Sequence, residues 1–528
     1  MSQERYRIIL AISLIAIVTF LAFSSSLNNG FTNWDDNDYI TGNPLIQTIS
    51  CSNLKSIFIS FNLSNYHPLV LLSFLLEYHF FQLNPFIYHL DNLLLHLMNS
   101  FLFFYIIFMV SHNVSISFIA AILFGIHPLH VESVVWVTER KDVLSTFFFL
   151  QAVICYLYFR KKQEGLYYFL ALITFLLALL SKAMAVTLPV VLLLFDYLLY
   201  RKFDKWALVE KMPFFTLSVF FGVLNILAQK AGDALSTQKT FEVLHNLFIA
   251  TSSLVFYIKK TILPLNLSAI YPSSQHRAIS ALSPEFLLPV SILFFMVIVI
   301  FLSRRWTRKI VFGSLFFFVT ILPVLKLIPV GDETFAADRY MYIPSIGLFY
   351  LAGVAFHKLY ASESVFHKVK RVSLTFLFCG VVLAYSFLTY QRCNVWQDNE
   401  TLWLNVLQNY PEAHIAHHNL GVEFKNQGRF NEAIKEFRTA LQLRPFDSDA
   451  SYNLGVVYFK QGRWDEAIEE LMGAVRLKPG FAGAHYVLGL AYMGQGRTDR
   501  AIEELLTAVT LKPDYMDARY SLGVAYQN

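Results

Sequence analysis

The stretch IILAISLIAIVTFLAFSS, residues Ile8 to Ser25, decides the class of fold. It carries no charge. A helix of roughly 20 apolar residues is what the hydrocarbon core of a bilayer requires. Arg5 and Arg7 precede it, and positive flanks stay in the cytoplasm, so the amino terminus is expected there. No clean small-x-small cleavage site follows, and many more apolar runs do. The segment therefore reads as a retained anchor and not as a removed signal peptide.

Outward from it, further apolar runs lie near 86–110, 114–126, 142–159, 165–181, 184–200, 212–228, 244–263, 285–302, 310–328, 341–357 and 372–391. Basic clusters mark their cytoplasmic ends: Arg160, Lys161 and Lys162; Arg201, Lys202 and Lys205; Arg304, Arg305, Arg308 and Lys309; Lys368, Lys370 and Arg371. Simple alternation fails between 201 and 304 if both 212–228 and 244–263 cross. The second, which runs into Pro264, is expected to return to the side it came from. That repair gives about 11 crossings and a carboxy-terminal tail outside the cytoplasm. Residues 27–85 become an external loop, in which His67 to Phe81 is expected to form an interfacial helix lying on the bilayer.

The tail is built differently. Gly421, Gly455, Gly489 and Gly523 recur every 34 residues, and so do Pro411, Pro445, Pro479 and Pro513. Within that period Leu420-Gly421, Phe424, Ala433, Phe437 and Ala440 are matched by Leu454-Gly455, Tyr458, Ala467, Leu471 and Ala474, then by Leu488-Gly489, Tyr492, Ala501, Leu505 and Ala508. A 34-residue helix–turn–helix period is the mark of tetratricopeptide (TPR) repeats. The expected architecture is all-α: a polytopic membrane domain over 1–400, then a TPR solenoid over 411–528 with three full repeats and the first helix of a fourth.

Composition supports the division. Of 528 residues 56% are hydrophobic and only 15% charged, against about 25% charged in an ordinary soluble domain. The tail has 13 basic and 15 acidic residues, a net −2, so the remainder carries +7 of the total +5. Four cysteines exclude a disulfide framework. Cys155 and Cys379 fall inside apolar runs. Cys51 and Cys393 could share the outer face, but sequence supplies no geometry for a bridge.

Ionisable residues in or beside apolar spans are costly and so point to function. Three groups stand out: Trp34-Asp35-Asp36-Asn37-Asp38-Tyr39; His127-Pro128-Leu129-His130-Val131-Glu132 with Glu139-Arg140-Lys141-Asp142; and Asp332-Glu333 with Asp338-Arg339-Tyr340. Alternation puts all three, and the lone cation Lys182, on the external face. Carboxylates with histidines can hold a divalent metal or take a proton from a hydroxyl. Arg and Lys at the interface can grip a phosphate. The blander readings are a solvated loop or helix cap at Asp35 and Asp36, an ion pair within 139–142, and a snorkelling Lys182. His414, His417 and His418 have metal-ligand spacing, but His417 stands where the repeat calls for a bulky aromatic. No Walker loop, GxGxxG after a strand or CxxC is present, so neither a cytosolic nucleotide site nor a nucleic-acid partner is expected.

The Asp35-Asp36 pair after the first span, the block HPLHVES at 127–133 with Arg140-Lys141-Asp142 beyond it, and the block ADRYMYIPS at 337–345 resemble the transmembrane-and-TPR O-mannosyltransferases. The order, membrane domain then repeats, is also theirs, and the resemblance covers almost the whole chain. It implies a GT-C glycosyltransferase that uses a lipid-phosphate sugar. Carried over, Asp35 is the catalytic base or metal partner, with Asp36 able to exchange roles. Arg339 is the donor-phosphate candidate, with Lys182, Arg140 and Lys141 next after it. His127, His130 and Glu132 serve the acceptor or a divalent metal.

The short tail and short polar loops look like a bacterial relative. That implies an inner-membrane enzyme with external, periplasmic TPRs, and a polyprenyl-phosphate sugar in place of dolichol and mannose. The expected reaction moves the sugar to a hydroxyl acceptor, as in protein O-glycosylation, with a protein or peptide held by the TPRs. The alternatives are an envelope glycan polymerase or ligase and a non-enzymatic TPR membrane scaffold.

Overall fold

A computed structural model describes residues 2–61, 65–201, 204–231, 243–272, 284–304, 307–325, 334–363 and 366–527. Asp332, Glu333, Lys202 and Arg305 of the expectations above lie outside these residues. The chain is helical nearly throughout. Among the described residues its one sheet is a two-stranded antiparallel pair, Tyr271–Pro272 with Thr334–Ala336. The chain divides into two units, Met1–Asp398 and Asn399–Asn528.

Each apolar run of the first unit is helical over most of its length. The first forms Ser2–Phe23, and the others include Pro85–Ser111, Val114–Ile126, Arg140–Lys162, Gly165–Ser181, Met212–Ala231, Ser345–Ala361 and His367–Val395. Local chemistry sets their ends. Asn84 and Asn113 cap their helices by accepting from the amides of Phe86 and Ile116, and Pro85 occupies the first helical turn. Five helices among the described residues are long and apolar enough to cross a bilayer. A sixth arises if Val114–Ile126 and Pro128–Val135, bent by 52° at His127, count as one span. Helix length therefore accounts for fewer crossings than the 11 expected from alternation.

Large apolar side chains remain exposed on these helices. Phe376 is 75% exposed and Leu383 71%. Water would make such surfaces costly, whereas lipid does not. This is a membrane protein. Where helices pack on each other, small residues allow close approach. A Cβ on Gly313 would meet the carbonyl oxygen of Gly347 at 2.9 Å, so Arg308–Ile321 and Ser345–Ala361 touch backbone to backbone.

Residues 27–85 are more folded than a loop. Helices Pro44–Gln47, Cys51–Ile59 and Pro68–Phe81 enclose a core of Tyr39, Ile46, Ile57, Val70, Phe74 and Tyr88. Cys51 is exposed and Cys393 buried, and both are free thiols. The expected cytoplasmic basic clusters are not simply solvated. Arg201 bonds Asp196 at 3.0 Å, the wholly buried Lys211 bonds Glu210 at 2.7 Å, and the Tyr156 hydroxyl donates to Asp196 at 2.8 Å.

The second unit pairs His414–Asn426 with Phe430–Leu443, Ser448–Lys460 with Trp464–Leu477, and Ala482–Gly494 with Thr498–Leu511, and ends in Met516–Gln527. Helix Asn399–Asn409 also belongs to it, so the unit starts earlier than the repeat period marks. Three of the four 34-residue glycines share one steric reason, while a Cβ at Gly523 would meet nothing within 4 Å. A Cβ at Gly421, Gly455 or Gly489 would stand 2.7–2.8 Å from Phe437, Leu471 or Leu505 of the partner helix.

His417 sits on a repeat seam. One ring nitrogen faces Glu436 Oε2 at 2.6 Å and the other the Pro411 carbonyl at 2.9 Å, so only the imidazolium can donate to both. Burial works against that charge. Glu436 and the Pro411 carbonyl outweigh it, and the pKa stands above the ordinary 6.5. Because folding raises the pKa, this stabilisation is complete below about pH 6.5 and fades as pH climbs through the folded value. Amide exchange in helices His414–Asn426 and Phe430–Leu443, corrected for intrinsic rate, is expected to lose protection from pH 6 to pH 8. His417→Gln should remove that dependence. An unaltered pH profile in the variant would dismiss the pair as its source.

Candidate active site

The site is assembled from segments far apart in sequence. The loop after the first helix supplies Trp34 and Asp35. The bend after Ile126 supplies Glu132, and the turn Trp136–Thr138 leads through Glu139 into Lys141 and Asp142. Lys182 ends the helix Gly165–Ser181, and Arg339 lies in the short 3-10 turn Asp338–Met341.

Glu139 is the hub. Its carboxylate lies 3.2 Å from the Lys141 ammonium, 3.0 Å from Lys182 and 3.4 Å from Arg339 Nε, and its side chain is only 2% exposed. Each cation has a second acidic partner. Lys182 bonds Asp142 at 2.8 Å, Arg339 pairs with Glu132, and Lys141 lies 3.5 Å from Asp35. Glu132 also accepts from the Arg339 amide at 3.1 Å, fixing backbone and side chain together. Ser133 donates to the second oxygen of Asp142 at 3.1 Å. Buried charges are retained only when paired in this way.

Three of the carboxylates, Glu132, Glu139 and Asp142, balance the three cations. Asp35 is the surplus negative charge. It has the longest ion contact of the four and the most exposed side chain, at 29%. Outside the spans the electrostatics agree. Burial opposes the charges on Lys182 and Arg339, yet the carboxylates beside them raise both pKa values above the ordinary range. Both side chains are therefore cations at neutral pH. Burial, reinforced by Glu132, pushes Asp338 up to about 7.

Aromatic rings wall one side. Trp34 stacks on Trp136 with centroids 4.4 Å apart, and Trp136 stacks on Trp396 at 5.7 Å. Lys141 and Arg339 approach the Trp136 ring to 5.8 and 5.5 Å.

Several expected site residues have other employment here. Asp36 is fully buried and accepts from the amide and hydroxyl of Thr32 at 2.8 and 2.9 Å, and from the amide of Thr138 at 3.0 Å as well as its hydroxyl. Burial raises its pKa while these donors oppose the rise. It staples the first loop to the turn before Glu139 and has no oxygen to spare, so it does not exchange roles with Asp35.

Arg140 points away from the cations around Glu139. Its guanidinium pairs with Glu77 and donates to Asn92 Oδ1 and the Tyr88 carbonyl, each at 2.8 Å. It therefore joins Glu77, Asn92 and Tyr88 and stands apart from the three cations that meet at Glu139. His127 accepts from the Leu129 amide at 3.2 Å and contacts the Thr261 carbonyl at 3.0 Å. His130 contacts the Phe124 carbonyl at 2.8 Å and the Ser345 hydroxyl at 3.0 Å. Both rings are buried packing elements. Glu132 is engaged by the side chain and the backbone amide of Arg339.

Among the described residues no three His, Cys, Asp or Glu side chains are grouped to hold a metal ion. Sequence reasoning passed over Glu139 as hub and Trp136 and Trp396 as wall. Glu139 stood in a quoted block, but only the fold says which cations reach it. Trp396 had no local signal at all.

The fold and the site define a polytopic helical membrane protein with a buried mixed-charge centre and an attached TPR array. Tetratricopeptide repeat models match residues 418–480 and 489–528. The chain is similar to curated proteins named protein O-mannosyl-transferases. TMTC3 of Homo sapiens is 25% identical over 431 residues, covering 73% of this chain and 45% of its own. F38B6.6 of Caenorhabditis elegans is 26% identical over 467 residues, covering 84% and 64%. TMTC1 of Homo sapiens is 26% identical over 503 residues, covering 83% and 56%. The chain thus spans about half the length of the curated relatives it matches.

Proposed function

We propose that this chain is a membrane glycosyltransferase that moves a sugar from a polyprenyl-phosphate donor to a hydroxyl of a protein, on the non-cytoplasmic face. One observation carries the proposal: three cations from three segments converge on Glu139, with the surplus carboxylate Asp35 beside them. The names of the homologues support protein O-glycosylation as the class of reaction. The TPR unit is suited to holding the protein acceptor or a partner.

In the step proposed, Asp35 takes the proton of the acceptor hydroxyl as its oxygen attacks the anomeric carbon. The bond from that carbon to the phosphate oxygen breaks, and its electron pair leaves with the polyprenyl phosphate. Arg339, Lys182 and Lys141 stabilise the departing charge. A single displacement of this kind inverts the anomeric centre. Cations already fixed by Glu139 need no reorganisation as charge develops, which is the efficient form of electrostatic catalysis.

Arg339→Lys in purified full-length protein tests the phosphate role. It keeps the charge but loses the planar fork that offers phosphate two parallel bonds. The apparent KM for a polyprenyl-phosphate hexose is expected to rise about tenfold or more, the loss of one charge-assisted hydrogen bond, with a smaller change in the acceptor constant. An unchanged donor constant in a variant that melts with wild type would remove Arg339 from the phosphate site.

A further inference from the structure

We infer that one ethanolamine-type phospholipid sits at the amino-terminal end of the first span, with its phosphate on Arg7 and its ammonium on Glu4. A cavity of about 640 Å³ lies there, between the opening turns of helices Ser2–Phe23 and Val114–Ile126. That volume falls within the roughly 300–1,000 Å³ of small-molecule sites. Its lining changes character along the first helix. Leu10, Leu14 and Phe118 make the apolar part, and Glu4 and Arg7 belong to the polar part. Glu4 and Arg7 share one helix at i and i+3, where opposite charges ordinarily pair. Here neither forms an ion pair among the described residues, and both side chains are exposed.

The order of these groups selects the occupant. The first helix is long and apolar enough to cross a bilayer, and Arg7 stands immediately before its uncharged run. From that run outward, the lining reads Leu14, Leu10, Arg7, Glu4. A glycerophospholipid read from chain to head gives acyl carbons, then phosphate, then amine. Helical rise places Glu4 about 4.5 Å further out than Arg7, and a phosphate and an amine joined by two carbons span a similar distance. An anionic headgroup would satisfy Arg7 but set a second negative charge against Glu4. A choline headgroup has no N–H to donate to a carboxylate. A primary ammonium has three, and hydrogen bonds between ionised partners are the strong ones. Seated there, the lipid braces the two helices whose far ends lead to Asp35 and Glu132.

The test releases full-length protein from nanodiscs made of equal parts phosphatidylethanolamine, phosphatidylcholine and phosphatidylglycerol. The lipid that stays bound is counted by native mass spectrometry. Phosphatidylethanolamine is expected to exceed each of the others about tenfold, the scale of one charge-assisted hydrogen bond. Glu4→Gln should bring it down to the level of phosphatidylcholine. Arg7→Gln should lower its retention about tenfold. Arg5→Gln removes the same charge from the same helix outside the cavity lining, and should leave retention within about twofold. If Arg7→Gln does not insert, Leu10→Trp fills the cavity with no change of charge and should cost the same retention. Equal retention of the three lipids by wild type overturns the site, and so does a preference for phosphatidylglycerol. An unchanged lipid ratio in Glu4→Gln overturns the pairing of ammonium with carboxylate. Equal losses in Arg5→Gln and Arg7→Gln assign the effect to diffuse surface charge and overturn the seat on Arg7.

Discussion

Asp35→Asn is expected to abolish transfer while leaving a folded, inserted protein. Three facts make the effect on rate large and the effect on stability small. The side chain is the most exposed of the four carboxylates, at 29%. Its ion contact, to Lys141, is 3.5 Å long, and Lys141 keeps Glu139 at 3.2 Å when that contact is lost. Asn preserves size and hydrogen-bonding capacity but cannot take a proton. Losing a positioned general base costs about 10²–10⁴ in rate. The neighbouring substitution is the control with the opposite signature. Asp36→Asn would leave at least one buried donor among Thr32 and Thr138 facing an amide nitrogen, and should lower the melting temperature and membrane yield. Single-turnover transfer from labelled donor, beside melting curves of both variants, separates the two. Full activity in Asp35→Asn would end its assignment as base.

Glu139→Gln is expected to give the largest loss of stability. Three cations from three segments share this one carboxylate, which is all but excluded from water. Breaking a buried pair by removing one partner costs about 3–5 kcal/mol, because the charge left behind stays buried without compensation. A typical domain holds only about 5–15 kcal/mol in total. The variant should melt early and accumulate poorly in membranes. Adding Lys141→Gln removes the cation that is left with only Asp35, 3.5 Å away, and should recover part of the loss, with a coupling well outside additivity. Normal melting of Glu139→Gln would mean that Glu132, Asp142 and Asp35 neutralise the cations unaided. The hub would then be incidental.

Much of this molecule is legible without coordinates. Apolar runs become helices because a backbone in lipid must satisfy its own hydrogen bonds. The runs at 114–126 and 165–181 match their helices residue for residue. The 34-residue period places the paired helices because each repeat solves the same packing problem. Gly421, Gly455 and Gly489 are small for one steric reason. Helix Asn399–Asn409 escaped because it packs with the repeats without carrying their pattern.

What the sequence determined by itself was therefore what depends on near neighbours: which segments are helical, which need lipid, the 34-residue period of the paired helices, and which short blocks concentrate charge. It could not rank the charged residues within a block. Asp35 and Asp36 are adjacent, yet one is a surplus carboxylate and the other a fully bonded staple to Thr138. Arg140 and Lys141 are adjacent, yet they turn to Glu77 and Glu139 respectively. Tertiary structure decided these because consecutive residues on a helix or turn point in different directions, and each buried charge keeps its ionised form only where a distant segment brings its counter-charge.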